Sequence, residues 1–146
     1  MSKRTDRQFL AMAEAVGHIF SKDPSTRVGA IAVGSSNNQV AWGYNGLPPG
    51  LADTPERLEN RDLKYALTLH AEENALANAP FAVRTLYVTH PPCSGCALRI
   101  LAKRTVQRVV YAESTDGGFH KRWATNLAEA RLLLEEGGVK LEGVVL

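Results

Sequence analysis

Two short segments of this chain carry side chains able to do metal chemistry. His70-Ala71-Glu72 supplies an imidazole and a carboxyl, and Pro92-Cys93-Ser94-Gly95-Cys96 supplies two thiols. One imidazole with two thiolates is a donor set for zinc. Three protein donors leave a fourth tetrahedral corner for water, the pattern of a catalytic rather than a structural site. Water on such an ion ionises near neutral pH. Glu72 stands two residues past His70, and on the first turn of a helix that offset turns it to another azimuth. It can face a cavity beside the metal without joining the coordination shell, and shuttle protons there. Two residues between Cys93 and Cys96 let both sulfurs reach one ion from a single turn, and a helix N-terminus favours thiolate over thiol. Read alone, Cys-x-x-Cys also fits a redox pair or half of a zinc knuckle. The chain has two cysteines in all. A four-cysteine site within one chain is therefore impossible, and a redox pair leaves His70 and Glu72 unexplained. The two segments are read together, as one zinc site per chain.

The surrounding elements must bring these segments to one point. Apolar residues at Phe9, Leu10, Met12, Ala13, Val16, Ile19 and Phe20 predict an amphipathic helix over 5–20, with Thr5 as its cap and His18 on its surface. Pro24 breaks the helix into a loop over 21–27. Residues 28–33 and 39–44 form a hairpin across the turn at 35–38. Residues 45–50, with two glycines and two prolines, form a rigid loop. Residues 51–59 read as a polar, irregular connection, and 60–69 as a short helix or approach segment. Helices follow over 71–79 and 96–104, each beginning at a metal segment. Strands at 85–89 and 106–112 flank the second of them, the latter apolar without alternation as in a parallel pair. Residues 113–123 read as a Gly-rich loop, 126–136 as a helix closed by Gly137-Gly138, and 139–141 with 144–146 as final strand pieces. The expected architecture is α/β: a three-layer α/β/α arrangement with a mixed sheet of about five strands. A right-handed crossover between the third and fourth strands aims both metal helices at one site.

Composition sets bounds on partners. The chain has 146 residues, enough for a single domain over 1–146 with one sizeable core. Hydrophobic residues make up 45% and charged residues 22%, an ordinary globular balance. The net charge of +2 argues against a nucleic-acid footprint. With both cysteines in the metal motif there is no disulfide framework, and neither a leader nor a membrane-spanning run is read. A cytoplasmic protein is expected.

The paired motif H-x-E…P-C-x-x-C is that of zinc-dependent nucleobase deaminases. Further stretches resemble the cytidine and deoxycytidylate deaminase superfamily, and within it the deoxycytidylate (dCMP) deaminases. They are Ser21-Lys22-Asp23-Pro24, Val28-Gly29-Ala30, Gly43-Tyr44-Asn45-Gly46 with Pro48 and Gly50, and His70-Ala71-Glu72-Glu73-Asn74-Ala75. Tyr87-Val88-Thr89 leading into Pro92-Cys93 completes the likeness. The resemblance implies a cytidine deaminase-like fold and hydrolytic deamination of dCMP to dUMP and ammonia, feeding thymidylate synthesis. It implies His70, Cys93 and Cys96 as zinc ligands and Glu72 as proton carrier. It implies Asn45 on the sugar hydroxyl, the Ala71 N–H on the pyrimidine carbonyl oxygen, and the Pro91 carbonyl on the exocyclic amine. Taken alone, Asn45 also fits a turn asparagine.

The 5′-phosphate calls for a cation or a nest of backbone amides. Arg27, with Ser25 and Thr26, is the first choice; Lys22, Lys121 and Arg122 are alternatives, each also at home on a solvated face. Phe119 and Trp123 cover the site or pack a lid, and His90 faces the base or ends its strand. The resemblance further implies a homo-oligomer, a hexamer first, with room at 45–50 for the effectors dCTP and dTTP and Mg2+ on their phosphates. A second, structural zinc is not expected. The alternatives are a deaminase of cytidine, of a 5-substituted dCMP or of tRNA adenosine, the last disfavoured by the low net charge, and a non-catalytic zinc protein that binds deoxynucleotides.

Overall fold

The computed structural model describes the backbone of residues 2–113 and 117–146, and the side chains of 2–113 and 124–146. The first apolar stripe folds as α1 (Lys3–Phe20). It starts before Thr5: Ser2 is the cap, its Oγ accepting the Thr5 N–H at 3.2 Å. Phe9, Leu10 and Ala13 bury against Ile31, Val33, Tyr87, Val110 and Val144.

Those partners lie on one face of a five-stranded sheet. Its strands are β1 (Gly29–Val33), β2 (Val40–Tyr44), β3 (Thr85–Val88), β4 (Arg108–Ala112) and β5 (Lys140–Val144), in the order β2-β1-β3-β4-β5. β1 runs antiparallel to both its neighbours, and β3, β4 and β5 are parallel. β1 and β3 are buried at every position, which explains their unbroken small and apolar runs. Residues 140–144 form one strand, not two short pieces, because β5 pairs with β4 through Glu142 and Gly143.

On the other face lie α4 (Ala71–Asn78), α5 (Ser94–Lys103) and α6 (Gly117–Glu136). Ala71, Ala75, Leu76, Ala97, Ile100, Ala130 and Leu134 bury there with Ala30, Ala32, Leu86, Val88, Val109 and Tyr111. The three layers and the mixed sheet are as expected. Gly138, at φ 80°, turns the chain after α6.

Two further expectations need correction. Residues 51–59 contain a helix, α2 (Pro55–Glu59), followed by α3 (Arg61–Leu67). Thr54 caps α2 by accepting the Arg57 N–H, and Pro55 takes the first turn, where a missing N–H costs nothing. The expected loop over 113–123 is helical from Gly117 onward. The side chains of Phe119, Lys121, Arg122 and Trp123 lie outside the described residues.

Strand β2 is an edge, and α4 lies across it. A Cβ on Gly43 would strike the backbone of Ala71 and Ala75, so glycine permits this close approach. Asn74 Nδ2 donates to the Tyr44 carbonyl at 2.6 Å and Asn78 Nδ2 to the Trp42 carbonyl at 3.0 Å. Two carbonyls of the edge strand are thus covered by the helix that carries Glu72.

Candidate active site

Local geometry explains why each donor stands where it does. Beyond β2 the chain pairs once more, Gly46 exchanging backbone hydrogen bonds with Leu69 at 2.9 and 3.1 Å. That bridge fixes the residue before His70. His70 then caps α4 in extended conformation, its N–H donating to the Glu73 carboxylate at 3.2 Å. The same carboxylate accepts Arg99 Nε of α5 at 2.8 Å, so the first turn of α4 is tied to the neighbouring metal helix. Cys93 caps α5 and Cys96 sits in its first turn, with the Cys96 N–H donating to Cys93 Sγ at 3.5 Å. Asn126 of α6 clasps this turn: its Oδ1 accepts the Ser94 N–H at 2.9 Å and its Nδ2 donates to Ser94 Oγ at 3.0 Å.

The three donors converge. His70 Nδ1 lies 3.2 Å from Cys96 Sγ and 3.5 Å from Cys93 Sγ, and the three ligand atoms all fall within 4.8 Å of one another. Adjacent corners of a tetrahedron with ordinary Zn–N and Zn–S bonds are roughly 3.6 Å apart. The donor types and their spacing therefore fit zinc. Cys96 is buried and His70 is the most open of the three.

Charges within the trio are strongly coupled. The Cys93 thiol is pushed down to about 4, first by the hydrogen bond from Cys96; burial opposes this and the His70 imidazole adds to it. The Cys93 bond raises His70 to about 9, against the effect of burial. The Cys96 thiol is pushed up by its bond to Cys93, by burial and by the Glu72 charge. A bound divalent ion displaces the protons these groups hold.

Glu72 stands outside the trio and is buried, at 5% exposure. Burial is the main cause that raises its carboxyl to about 7; its own backbone N–H and the His70 charge pull the other way. A carboxyl poised there suits proton transfer in both directions near neutral pH.

One cavity of about 880 Å³ opens onto these groups. Ser25, Thr26, Asn45, Ala71, Glu72 and Pro91 line it, together with His70 and Cys93. His90 also lines it. Asn45 is heavily engaged. Its Oδ1 accepts from Ser21 Oγ at 2.7 Å and from the Val28 N–H at 2.8 Å, and its Nδ2 donates to the Thr26 carbonyl at 2.8 Å. It fastens the 21–28 loop while presenting one edge to the cavity.

Arg27 does not line the cavity. Its guanidinium donates to the His18 carbonyl at 3.2 Å and to the Asp23 carbonyl at 3.4 Å, closing the end of α1. The exposed Lys22 pairs with Asp53 at 3.0 Å. Asp23, Arg61, Lys64, Tyr65 and Asn126, which sequence reading did not single out for the site, are in the cavity wall. Composition predicts an exposed lysine at position 64. The only local hint was a helix immediately before His70.

Comparisons with known proteins agree with this geometry. Residues 3–113 match the family described as the cytidine and deoxycytidylate deaminase zinc-binding region. A protein of Aliivibrio fischeri, described as an uncharacterized deaminase in the luxG 3′ region, is 38% identical over 146 residues, covering 97% of this chain and 94% of its own. Deoxycytidylate deaminase of Mus musculus is 37% identical over 127 residues, covering 82% of this chain and 68% of its own. The crystal structure of dCMP deaminase from cyanophage S-TIM5 in apo form superposes with a TM-score of 0.67 at 27% identity, covering 99% of this chain and all of that one. With its zinc donors gathered at one point and a buried carboxyl beside them, the chain belongs to the cytidine and deoxycytidylate deaminase family and is a zinc-dependent hydrolase.

Proposed function

We propose that the protein hydrolyses the 4-amino group of dCMP, giving dUMP and ammonia, and so supplies dUMP for thymidylate synthesis. The observation that carries the reading is the buried Glu72 carboxyl beside three zinc donors, in the wall of a cavity of about 880 Å³. That volume lies in the range of small-molecule sites. Zinc bound by His70, Cys93 and Cys96 would supply a water acidified toward neutral pH.

The chain's own groups do the rest. Glu72 accepts a proton from the water as its oxygen bonds to C4, and delivers that proton to the ring nitrogen N3. It then carries the second proton of the water to the amino group as the C4–N bond breaks and ammonia leaves. The Ala71 N–H donates to the pyrimidine carbonyl oxygen, and the Pro91 carbonyl accepts from the amino group. Asn45 offers its remaining N–H to the sugar hydroxyl, and Ser25 and Thr26 flank the sugar and phosphate. The named deoxycytidylate deaminases among the relatives support the choice of substrate. Resemblance alone carries the rest of the reading: a cytoplasmic homo-oligomer, a hexamer first, with dCTP and dTTP as effectors and Mg2+ on their phosphates.

Ammonia release from a panel of dCMP, 5-substituted dCMP, deoxycytidine and cytidine tests the assignment. Preference for dCMP is expected; preference for an unphosphorylated nucleoside overturns it. Glu72→Gln should keep full zinc content and lose about 10²–10⁴-fold in kcat, the usual contribution of a general acid–base group. Near-normal turnover by that variant would refute the proton-carrier role.

A further inference from the structure

We infer that Lys64 holds the 5′-phosphate and is the residue that makes the enzyme choose nucleotides over nucleosides. This rests on the nucleotide reading above. Among the described residues, Lys64 and Arg61 are the only lysine or arginine in the cavity wall.

Burying a lysine is costly unless the charge is used. The Lys64 side chain retains 10% exposure. Its ammonium has three N–H donors. One reaches Ser25 Oγ at 3.0 Å and one reaches Asp23 Oδ1 at 3.3 Å. The third meets no hydrogen-bond acceptor among the described residues; the ammonium also lies 5.5 Å from the centre of the Tyr65 ring. Asp23 is an incomplete partner: the contact is longer than the about 2.7–2.9 Å of a close charge-assisted bond. The same oxygen also accepts the Ser25 N–H at 2.9 Å, the Thr26 N–H at 3.0 Å and Ser25 Oγ at 3.0 Å. Asp23 therefore shapes the 23–26 turn and holds Lys64 in place, and the ammonium keeps a donor for a further anion.

Arg61 supplies a second cation one turn earlier on α3. Its guanidinium lies 5.5 Å from the centre of the Tyr65 ring and makes no ion pair among the described residues. A phosphate between Lys64 and Arg61 meets two positive charges. His70, Glu72 and Pro91, at the metal site, line the same cavity.

Removing Lys64 alone leaves a buried carboxylate and invites misfolding, so the test uses the charge-neutral double variant Asp23→Asn/Lys64→Met, together with Arg61→Gln. Calorimetric binding of dUMP and of deoxyuridine to the zinc-loaded proteins is compared, alongside kcat/KM for dCMP and deoxycytidine. The ratio of dUMP to deoxyuridine affinity should fall by on the order of 10–100-fold in the double variant, and by less in Arg61→Gln. An unchanged ratio, or equal weakening of both ligands, overturns the assignment of Lys64. A wild-type enzyme that prefers deoxycytidine to dCMP refutes the nucleotide reading itself, whatever the variants do.

Discussion

At Asp23, burial works against the charge and hydrogen bonding works for it. Burial alone pushes the carboxyl up. Bonds from the Thr26 and Ser25 amides and the Ser25 hydroxyl, with the Lys64 charge, outweigh that and leave it below the ordinary carboxylate value. A group whose folded pKa is depressed stabilises the fold fully above its unfolded pKa, about 3.9, and loses that contribution as pH falls through the folded value. Wild type should therefore exceed Asp23→Asn in stability near neutrality, and the gap should close as pH falls below about 4. Urea midpoints of both proteins at a series of pH values check this; a gap that widens in acid contradicts it. Residues of this kind divide what could and could not be read in advance. His70, Glu72, Cys93 and Cys96 were legible because their chemistry is rare and their spacing is short. Arg27 and Lys64 were not, because a cation's direction depends on contacts far away in sequence. Arg27 turns toward the end of α1, and Lys64 turns inward because Asp23 and Ser25 receive it.

Elements were legible where period and caps agreed. The hairpin, the parallel pair and both metal helices follow from apolar runs bounded by turn residues. The misses have local causes. Thr54-Pro55 is a helix start that a polar composition hid, and α6 begins at Gly117, a residue type read as loop. Asn126 carries a consequence of that miss. It marks where the last helix was expected to begin; instead it sits within α6 and grips the start of α5 through Ser94. Cys93 and Cys96 hang on that turn. Asn126→Ala removes both bonds and should weaken zinc binding by about tenfold, in the range seen when supporting partners of metal ligands are lost. Asn126→Asp can still accept the Ser94 N–H and should recover most of the loss. Competition with a chromophoric chelator measures both, and equal zinc affinity in Asn126→Ala and wild type would show that α6 does not position the thiolates.

The whole molecule is held across its layers by a second polar cluster, on the face of the sheet opposite the metal. Asp6 of α1 is almost fully buried. It accepts the Tyr87 hydroxyl of β3 at 2.8 Å and both terminal nitrogens of Arg108 of β4, at 2.9 and 3.3 Å. Arg108 Nε reaches Glu142 of β5 at 3.2 Å. One carboxylate thus links the first helix to β3 and β4 directly, and to β5 through Arg108. Removing it leaves a largely buried guanidinium with only one of its two acidic partners, so Asp6→Ala should cost about 3–5 kcal/mol of unfolding free energy. Replacing the whole cluster is a different matter, because no charge is then left without a partner. Asp6→Leu/Tyr87→Phe/Arg108→Met should lie within roughly 1–2 kcal/mol of wild type, as apolar replacement of buried ion pairs often does. Urea unfolding of the three proteins separates the cases. If Asp6→Ala costs less than about 1 kcal/mol, the cluster is not what fastens α1 to the sheet. Zinc content and turnover per folded molecule should stay at the wild-type level in both variants, since α1 packs on the face away from His70, Cys93 and Cys96. A parallel loss of zinc would mean that the two faces of the sheet are coupled through β3, whose Tyr87 and Leu86 point to opposite layers.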